Sequence, residues 1–220
     1  MNNNIINKVV IATSNQGKIK EISKILNLDD FTFFKFISQS EFNVPECPEP
    51  YSTFVENALA KARHTSKYTN LPAIADDSGI CIPAFGANSP SVHSARWAEF
   101  NSYGQDISNK DGRNNSYLQF KIKELYKHIG EQKISAYYYC SRVMLEHELD
   151  PTPIIANASL YGELQLVAQG NNGFGYDPHF YLPQFNKTAA QLTSEEKNTI
   201  SHRKLALNKL MRELQERIKN

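Results

Sequence analysis

Apolar residues run almost without interruption from Lys8 to Thr13 (KVVIAT) and then give way to the polar stretch Ser14 to Lys18. Such a run reads as a strand buried on both faces, as in a parallel sheet. Ile19, Ile22, Ile25 and Leu26 follow at helical spacing, so the segment predicts strand, loop, helix. Phe31 to Ile37 is aromatic-rich and predicts a second strand. Ser38 to Tyr51 is a loop stiffened by Pro45, Pro48 and Pro50. Thr53 and Glu56 then have capping-box spacing, and Val55, Ala58, Leu59 and Ala62 line one face of the helix they open. Glu56, Lys61, Arg63 and Lys67 read mostly as its solvated face. Asn57, polar beside the apolar stripe, is placed to bond to the loop.

Ala73 to Ala75 climbs as a short apolar strand into Asp76 and Asp77, and Ser78-Gly79 reads as a turn that leaves both acids at a strand end. Ile80 to Pro83 continues as a strand, Phe85 to Ser94 is loop-like, and Glu99 to Arg113, with Gly104 and Gly112, reads as a mobile loop. Tyr117, Phe120, Leu125 and Ile129 predict a helix. Ile134 to Leu145 is a long β-prone run whose Tyr137, Tyr138 and Tyr139 read as packing residues. Pro151 to Pro153 makes a turn into a hairpin partner, Ile154 to Val167, broken near Gly162. Gln169 to Pro178 is a glycine-rich loop. Thr193 and Glu196 form a second capping box. Ser201 is placed to cap a last helix whose stripe of Leu207, Leu210, Met211, Leu214 and Ile218 packs on the body.

Strands alternating with helices point to an α/β fold, and 220 residues suffice for one large domain or two lobes sharing a core. A net charge of +1 gives no support for a nucleic-acid or membrane binder. Cys47, Cys81 and Cys140 are odd in number and scattered, which fits reduced thiols in a cytoplasmic protein. With no CxxC pair and no HExxH spacing, a zinc site is not expected. No signal peptide or bilayer-spanning run is read.

Six groups of residues carry candidate chemistry. Asp76 and Asp77 are hard oxygen donors suited to a divalent cation such as Mg²⁺, or alternatively an Asx-type turn. Glu41, Glu46 and Glu49 in the proline-rich loop are solvated charges or a second carboxylate for the same cation. The Ser14 to Lys18 loop opens a helix, which makes it an anion site, although it lacks the leading glycine and the Ser or Thr of a Walker A loop. Arg96, beside Trp97, is placed either to reach a phosphate or to pair with an acid. Gly173, Phe174, Gly175, Tyr176 and Asp177 form a loop suited to close backbone approach and ring stacking. Lys197, His202 and Arg203 are basic at a helix entry, where the dipole disfavours cations, which argues for a bound anion or acceptor.

Six motifs in order resemble the inosine triphosphate pyrophosphatase family (the Ham1-like enzymes): Thr13 to Lys18 (TSNQGK), Thr53 to Ala58 (TFVENA), Asp76 to Gly79 (DDSG), Ser94 to Arg96 (SAR), Phe174 to Asp177 (FGYD) and Ser201 to Arg203 (SHR). The resemblance runs from Lys8 to about Leu207 and treats residues 1–220 as a single domain. It implies an elongated two-lobed α/β structure with a long central mixed β-sheet flanked by helices and a substrate cleft between lobes. It implies Mg²⁺-dependent hydrolysis of non-standard purine nucleoside triphosphates (ITP, dITP, XTP) to the monophosphate and pyrophosphate, usually by a homodimer. On the matching positions, Thr13, Ser14, Asn15, Gln16, Gly17 and Lys18 would hold the triphosphate, with Ser78 and Arg96 among the substrate contacts. Asp77 would be the metal-binding general base, with Asp76 either a supporting ligand or a brace for the turn. Phe174, Gly175, Tyr176, Asp177, Lys197, His202 and Arg203 would contact base and phosphate. The second metal acid is Glu49 by spacing to Thr53, or Glu46 if the loop carries a gap. The chain departs from the family pattern at Ser14, Tyr51 and Asn88 to Ser91, where glycines are usual.

Overall fold

The computed structural model describes residues 7–13, 19, 34–87 and 89–219. The expected anion loop, Ser14 to Lys18, and most of the helix expected after it lie outside the described residues. The strands are β1 (Asn7–Ile11), β2 (Phe34–Ser38), β3 (Ala73–Cys81), β4 (Ile134–Leu145), β5 (Ile154–Leu164), β6 (Phe180–Leu182) and β7 (Lys187–Thr188). They form one seven-stranded mixed sheet in the order β2-β1-β3-β4-β5-β6-β7. β1 pairs in parallel with β2 and β3, and β6 pairs antiparallel with β5 and β7. The helices among the described residues are α1 (Phe54–Thr69), α2 (Trp97–Phe100), α3 (Lys110–Ile129), α4 (Ser194–Ile200) and α5 (His202–Lys219).

The chain divides into two compact units, and β3, β4 and β5 each contribute residues to both. The first unit comprises residues 1–77, 140–158 and 203–220. Two apolar layers hold it. Ala58 and Ala62 of α1 pack on Ala73, Ala75, Val143 and Leu145. Leu207, Leu210, Met211 and Leu214 of α5 pack on Val9, Ile11, Ile74, Met144 and Ile154. The stripe expected on the last helix therefore exists, except that Ile218 lies beyond the core and is 60% exposed. The second unit comprises residues 78–139 and 159–202. Its core joins Ile80, Ile82, Trp97, Leu118, Ile122, Tyr176, Phe180 and Leu182.

Three expectations from the sequence need correction. Ser78-Gly79 is not a turn, because β3 runs unbroken to Cys81 and is buried along nearly all its length. A side chain at Gly79 would collide with Ser94 and the carbonyl of Ser91, so this glycine lets another segment approach the strand. Gly162 likewise lies inside an unbroken β5, where Tyr181 and Phe180 of β6 leave no room for a Cβ. Gly112 belongs to α3 rather than to a mobile loop, and the end of α2 (Trp97–Phe100) overlaps the start of that stretch.

The close approach at Gly79 makes a stability prediction. Ser94 Oγ accepts from Ile80 N at 2.9 Å, so the Ser91–Arg96 turn cannot retreat without breaking that bond. Gly79→Ala is expected to cost about 1–3 kcal/mol through overpacking. Urea unfolding measures this, and an unchanged midpoint would show that the turn shifts freely.

Candidate active site

Within the first unit, the site grows from α1. Thr53 caps the helix: its hydroxyl accepts from Glu56 N at 3.3 Å and donates to the Glu56 carboxylate at 2.6 Å. With the start fixed, Asn57, Lys61 and His64 fall at spacings of four and three, on one face. That face grips the proline-rich loop at successive points. Asn57 Oδ1 accepts from Tyr51 N at 3.1 Å and Asn57 Nδ2 donates to Tyr51 O at 3.2 Å. Lys61 Nζ reaches Glu49 Oε2 at 3.2 Å, and His64 Nε2 meets Pro45 O at 2.9 Å. Asn57 is thus bonded to the loop, as its position beside the stripe suggested.

The same face addresses Asp77, which is only 7% exposed. Asn57 Nδ2 donates to Asp77 Oδ2 at 3.2 Å, and Lys61 Nζ lies 3.4 Å from Oδ1. Two residues one turn apart on α1 therefore serve the two oxygens of a single carboxylate. Because Asn57 Oδ1 is occupied by Tyr51 N, the amide orientation that points Nδ2 at the carboxylate is fixed by its bonds. Lys61 bridges Glu49 and Asp77. Burial acts to strip its proton, but the charges of Asp77, Asp76 and Glu49 outweigh burial and hold its pKa above that of an ordinary lysine. It is a cation throughout the neutral range, held by two acids, and it does not belong to a solvated face as its sequence context suggested.

Asp76 adds its charge to the field on Lys61, but its side chain takes a different direction from that of Asp77. Successive side chains on a strand point to opposite faces, and Asp76 lies instead beside the fully buried Arg142, with Nη1 to Oδ1 at 3.9 Å. Arg142 Nε donates to the carbonyl of Arg203 at 3.3 Å, so the Asp76 side of β3 faces the start of α5. Glu46 and Glu49 are both exposed on the loop, and Glu49 shares Lys61 with Asp77. Thr13 follows β1 and is half-buried.

Within the second unit, a different carboxylate organises the glycine-rich loop. Asp177 is buried, and its Oδ2 accepts from Phe174 N at 2.9 Å and pairs closely with Lys197 Nζ. Its Oδ1 accepts from Tyr138 OH at 3.2 Å. Gly173 passes so near Asp177 and Lys197 that no Cβ fits. Phe174 is left 58% exposed, with Lys197 Nζ 5.3 Å from its ring centroid. His202 stacks on Tyr138 with centroids 5.0 Å apart and planes 8° from parallel. Tyr138 thus belongs to this group, although the sequence placed it in a packing stripe.

Tyr176 departs from its expected part. Its ring is buried against Trp97 at 6.3 Å and its hydroxyl donates to Ser94 O at 2.8 Å, so it anchors the loop, and of the loop's two rings Phe174 is the exposed one. Burial, with the Asp111 charge adding to it, pushes the Tyr176 phenol pKa far upward, so it stays a neutral donor. Ser78 and Arg203 are half-buried, and Arg96 is exposed. Among the described residues, no helix is long and apolar enough to cross a membrane, and no three His, Cys, Asp or Glu converge as a metal site.

Comparison with known proteins places these residues in a family. A model of the Ham1 family matches residues 9–213. A dITP/XTP pyrophosphatase of Neisseria meningitidis serogroup A is 47% identical over 207 residues, covering 94% of this chain and 96% of that protein. A dITP/XTP pyrophosphatase of Nitrosomonas europaea is 48% identical over 211 residues, covering 96% of each. Among solved structures, a HAM1 protein from Coxiella burnetii superposes with a TM-score of 0.84 at 39% identity, covering 96% of this chain and 100% of that one. Sequence and fold agree across nearly the whole length, and the chain belongs to the Ham1 family.

Proposed function

We propose that this protein hydrolyses non-standard purine nucleoside triphosphates (dITP, ITP and XTP) to the monophosphate and pyrophosphate. The observation that carries the reading is the Glu49–Lys61–Asp77 arrangement: a buried carboxylate held by a cation and an amide, on a chain whose relatives are named dITP/XTP pyrophosphatases. Asp77 acts as the general base that positions water for attack at the α-phosphorus. Lys61 bridges the two acids, offsets their mutual repulsion and opposes the charge of the triphosphate. Thr13 and the residues Ser14, Asn15, Gln16, Gly17 and Lys18 serve the phosphates as backbone and ammonium donors.

Glu49 and Asp77 also fit a divalent cation. Both present hard oxygens that already converge on one positive charge, the Lys61 ammonium. Mg²⁺ is commonly held by one or two carboxylates together with substrate phosphates. When bound, such an ion neutralises charge on the phosphate oxygens. Residues 1–220 work as one catalytic domain, as a homodimer in the cytoplasm, where the scattered free thiols of Cys47, Cys81 and Cys140 would remain reduced.

Base selection falls to the second group of residues. Phe174 supplies a ring for the purine. Donors from His202 and Arg203 suit the C6 oxygen of hypoxanthine or xanthine and meet a donor at the C6 amino group of adenine. A site built on such donors rejects the mismatched base far more strongly than shape alone allows.

The direct test is pyrophosphate release from ITP, XTP, dUTP, ATP and GTP with and without Mg²⁺. The expected outcome is Mg²⁺-dependent release from ITP and XTP with ATP far behind, and equal turnover of ATP would refute the reading. Asp77→Asn is expected to keep the fold, seen by circular dichroism, and to lose about 10²–10⁴-fold in turnover. Lys61→Met should lose about 10²-fold or more, since it removes the charge that both acids share; wild-type turnover there would remove Lys61 from the chemistry. Phe174→Ala is expected to weaken ITP by about 1–3 kcal/mol, read from KM, and an unaltered KM would exclude stacking on this ring.

A further inference from the structure

The loop bearing Phe174 is held a second time, by two side chains of α3. Asp111 Oδ2 accepts from Gly175 N at 2.8 Å, and Asn115 Nδ2 donates to Gly175 O at 2.9 Å. Asp111 and Asn115 are four residues apart in the first turns of α3, so one helix face takes both the N–H and the C=O of a single residue. That residue directly follows Phe174. Gly175 has φ +62° and nothing within 4 Å of where a Cβ would stand, so glycine is needed here for the left-handed backbone and not for space. Asp111 sits where the helix dipole favours a carboxylate, behind an Asn109 cap that accepts from Asp111 N at 3.1 Å.

Neighbouring residues keep the clamp itself fixed. Asn114, on the same helix, accepts from Ala98 N at 2.9 Å and donates to Ala95 O at 3.1 Å. Tyr176 OH closes the circuit by donating to Ser94 O. Asn115 also leaves its Oδ1 buried without a hydrogen-bond partner. A buried unpaired acceptor is a cost that an apolar residue at this position would remove, and its retention is accounted for if the amide serves to hold Gly175.

We propose that Asp111 and Asn115 are positioning residues that set the plane of Phe174, and with it the recognition of the purine base. The proposal rests on the reading of Phe174 as the base-stacking residue. It assigns the pair an effect on base binding and none on the chemistry at phosphorus.

The test separates the base from the phosphates. Wild-type protein, Asp111→Ala, Asn115→Ala and Asp111→Asn are compared by four measurements: KM and kcat with ITP, the Kd of IMP by calorimetry, the Ki of inorganic triphosphate, and the thermal midpoint. The two alanine variants are expected to raise KM for ITP and Kd for IMP by about tenfold, toward the low end of what losing a base–aromatic stack costs. Their kcat and their Ki for inorganic triphosphate should stay within about threefold of wild type, the scale of a secondary perturbation. Asp111→Asn keeps an acceptor for Gly175 N and should restore KM to near wild type. Unchanged KM and Kd in the alanine variants would overturn the proposal, as would a loss of triphosphate binding or kcat in parallel with KM, which would mark a general scaffold. Wild-type protein that binds IMP but releases no pyrophosphate would sink the proposed function instead, and the Kd of IMP would still decide the clamp.

Discussion

A carboxylate buried within a continuous strand is the constraint from which the first unit is built. Asp77 sits in the body of β3, where an unpartnered charge would protonate or destabilise the strand. The remedy is local and helical. Asn57 and Lys61, one turn apart on α1, reach its two oxygens, and the next turn along carries His64 to the proline-rich loop. The apolar face of α1, through Ala58 and Ala62, sets how closely the helix lies to the strand. Small side chains there bring the polar stripe within hydrogen-bond range. Packing and chemistry are thus one arrangement: a larger residue at Ala58 or Ala62 would lift Asn57 and Lys61 away from the acid.

The second unit uses a buried carboxylate for a different purpose. Asp177 accepts from a backbone amide, a phenol and a lysine. These bonds fix a glycine-rich loop whose exposed product is a single ring, Phe174. The loop is then held a second time at Gly175 by α3. On the proposed reading, rigid support behind an exposed aromatic ring serves base recognition, because a mobile ring would have to be ordered at each binding event.

Much of this was legible in the chain. The Thr53 cap, the capping box of Thr193 and Glu196, the buried run of β1, the extent of β4 and the stripe of α5 follow from periodicity and end signals that act locally; at Thr53 the box itself does not close, because the Glu56 carboxylate takes the Thr53 hydroxyl rather than its backbone N–H. The separation of Asp76 from Asp77 follows from the two-residue period of a strand. The errors share one cause. Gly79 and Gly162 looked like breaks because glycine also marks turns, yet each lies in a strand where another segment comes too near for a side chain. Lys61 looked solvated because nothing in its neighbourhood along the chain announces Glu49 or Asp77. Tyr138, Asp111 and Asn115 were unreadable for the same reason, since their partners lie 39, 64 and 60 positions away. The i, i+4 spacings Asn57–Lys61 and Asp111–Asn115 were the available signal, but such polar pairs are also common on helices that do nothing more than face water.

The central claim is that Asp77, steadied by Asn57 and Lys61, directs water to the α-phosphorus. Hydrolysis of ITP in ¹⁸O-labelled water, with mass analysis of both products, tests it most directly. The account predicts that the label enters IMP and leaves pyrophosphate unlabelled. Label in the pyrophosphate would place the attack at the β-phosphorus and contradict it.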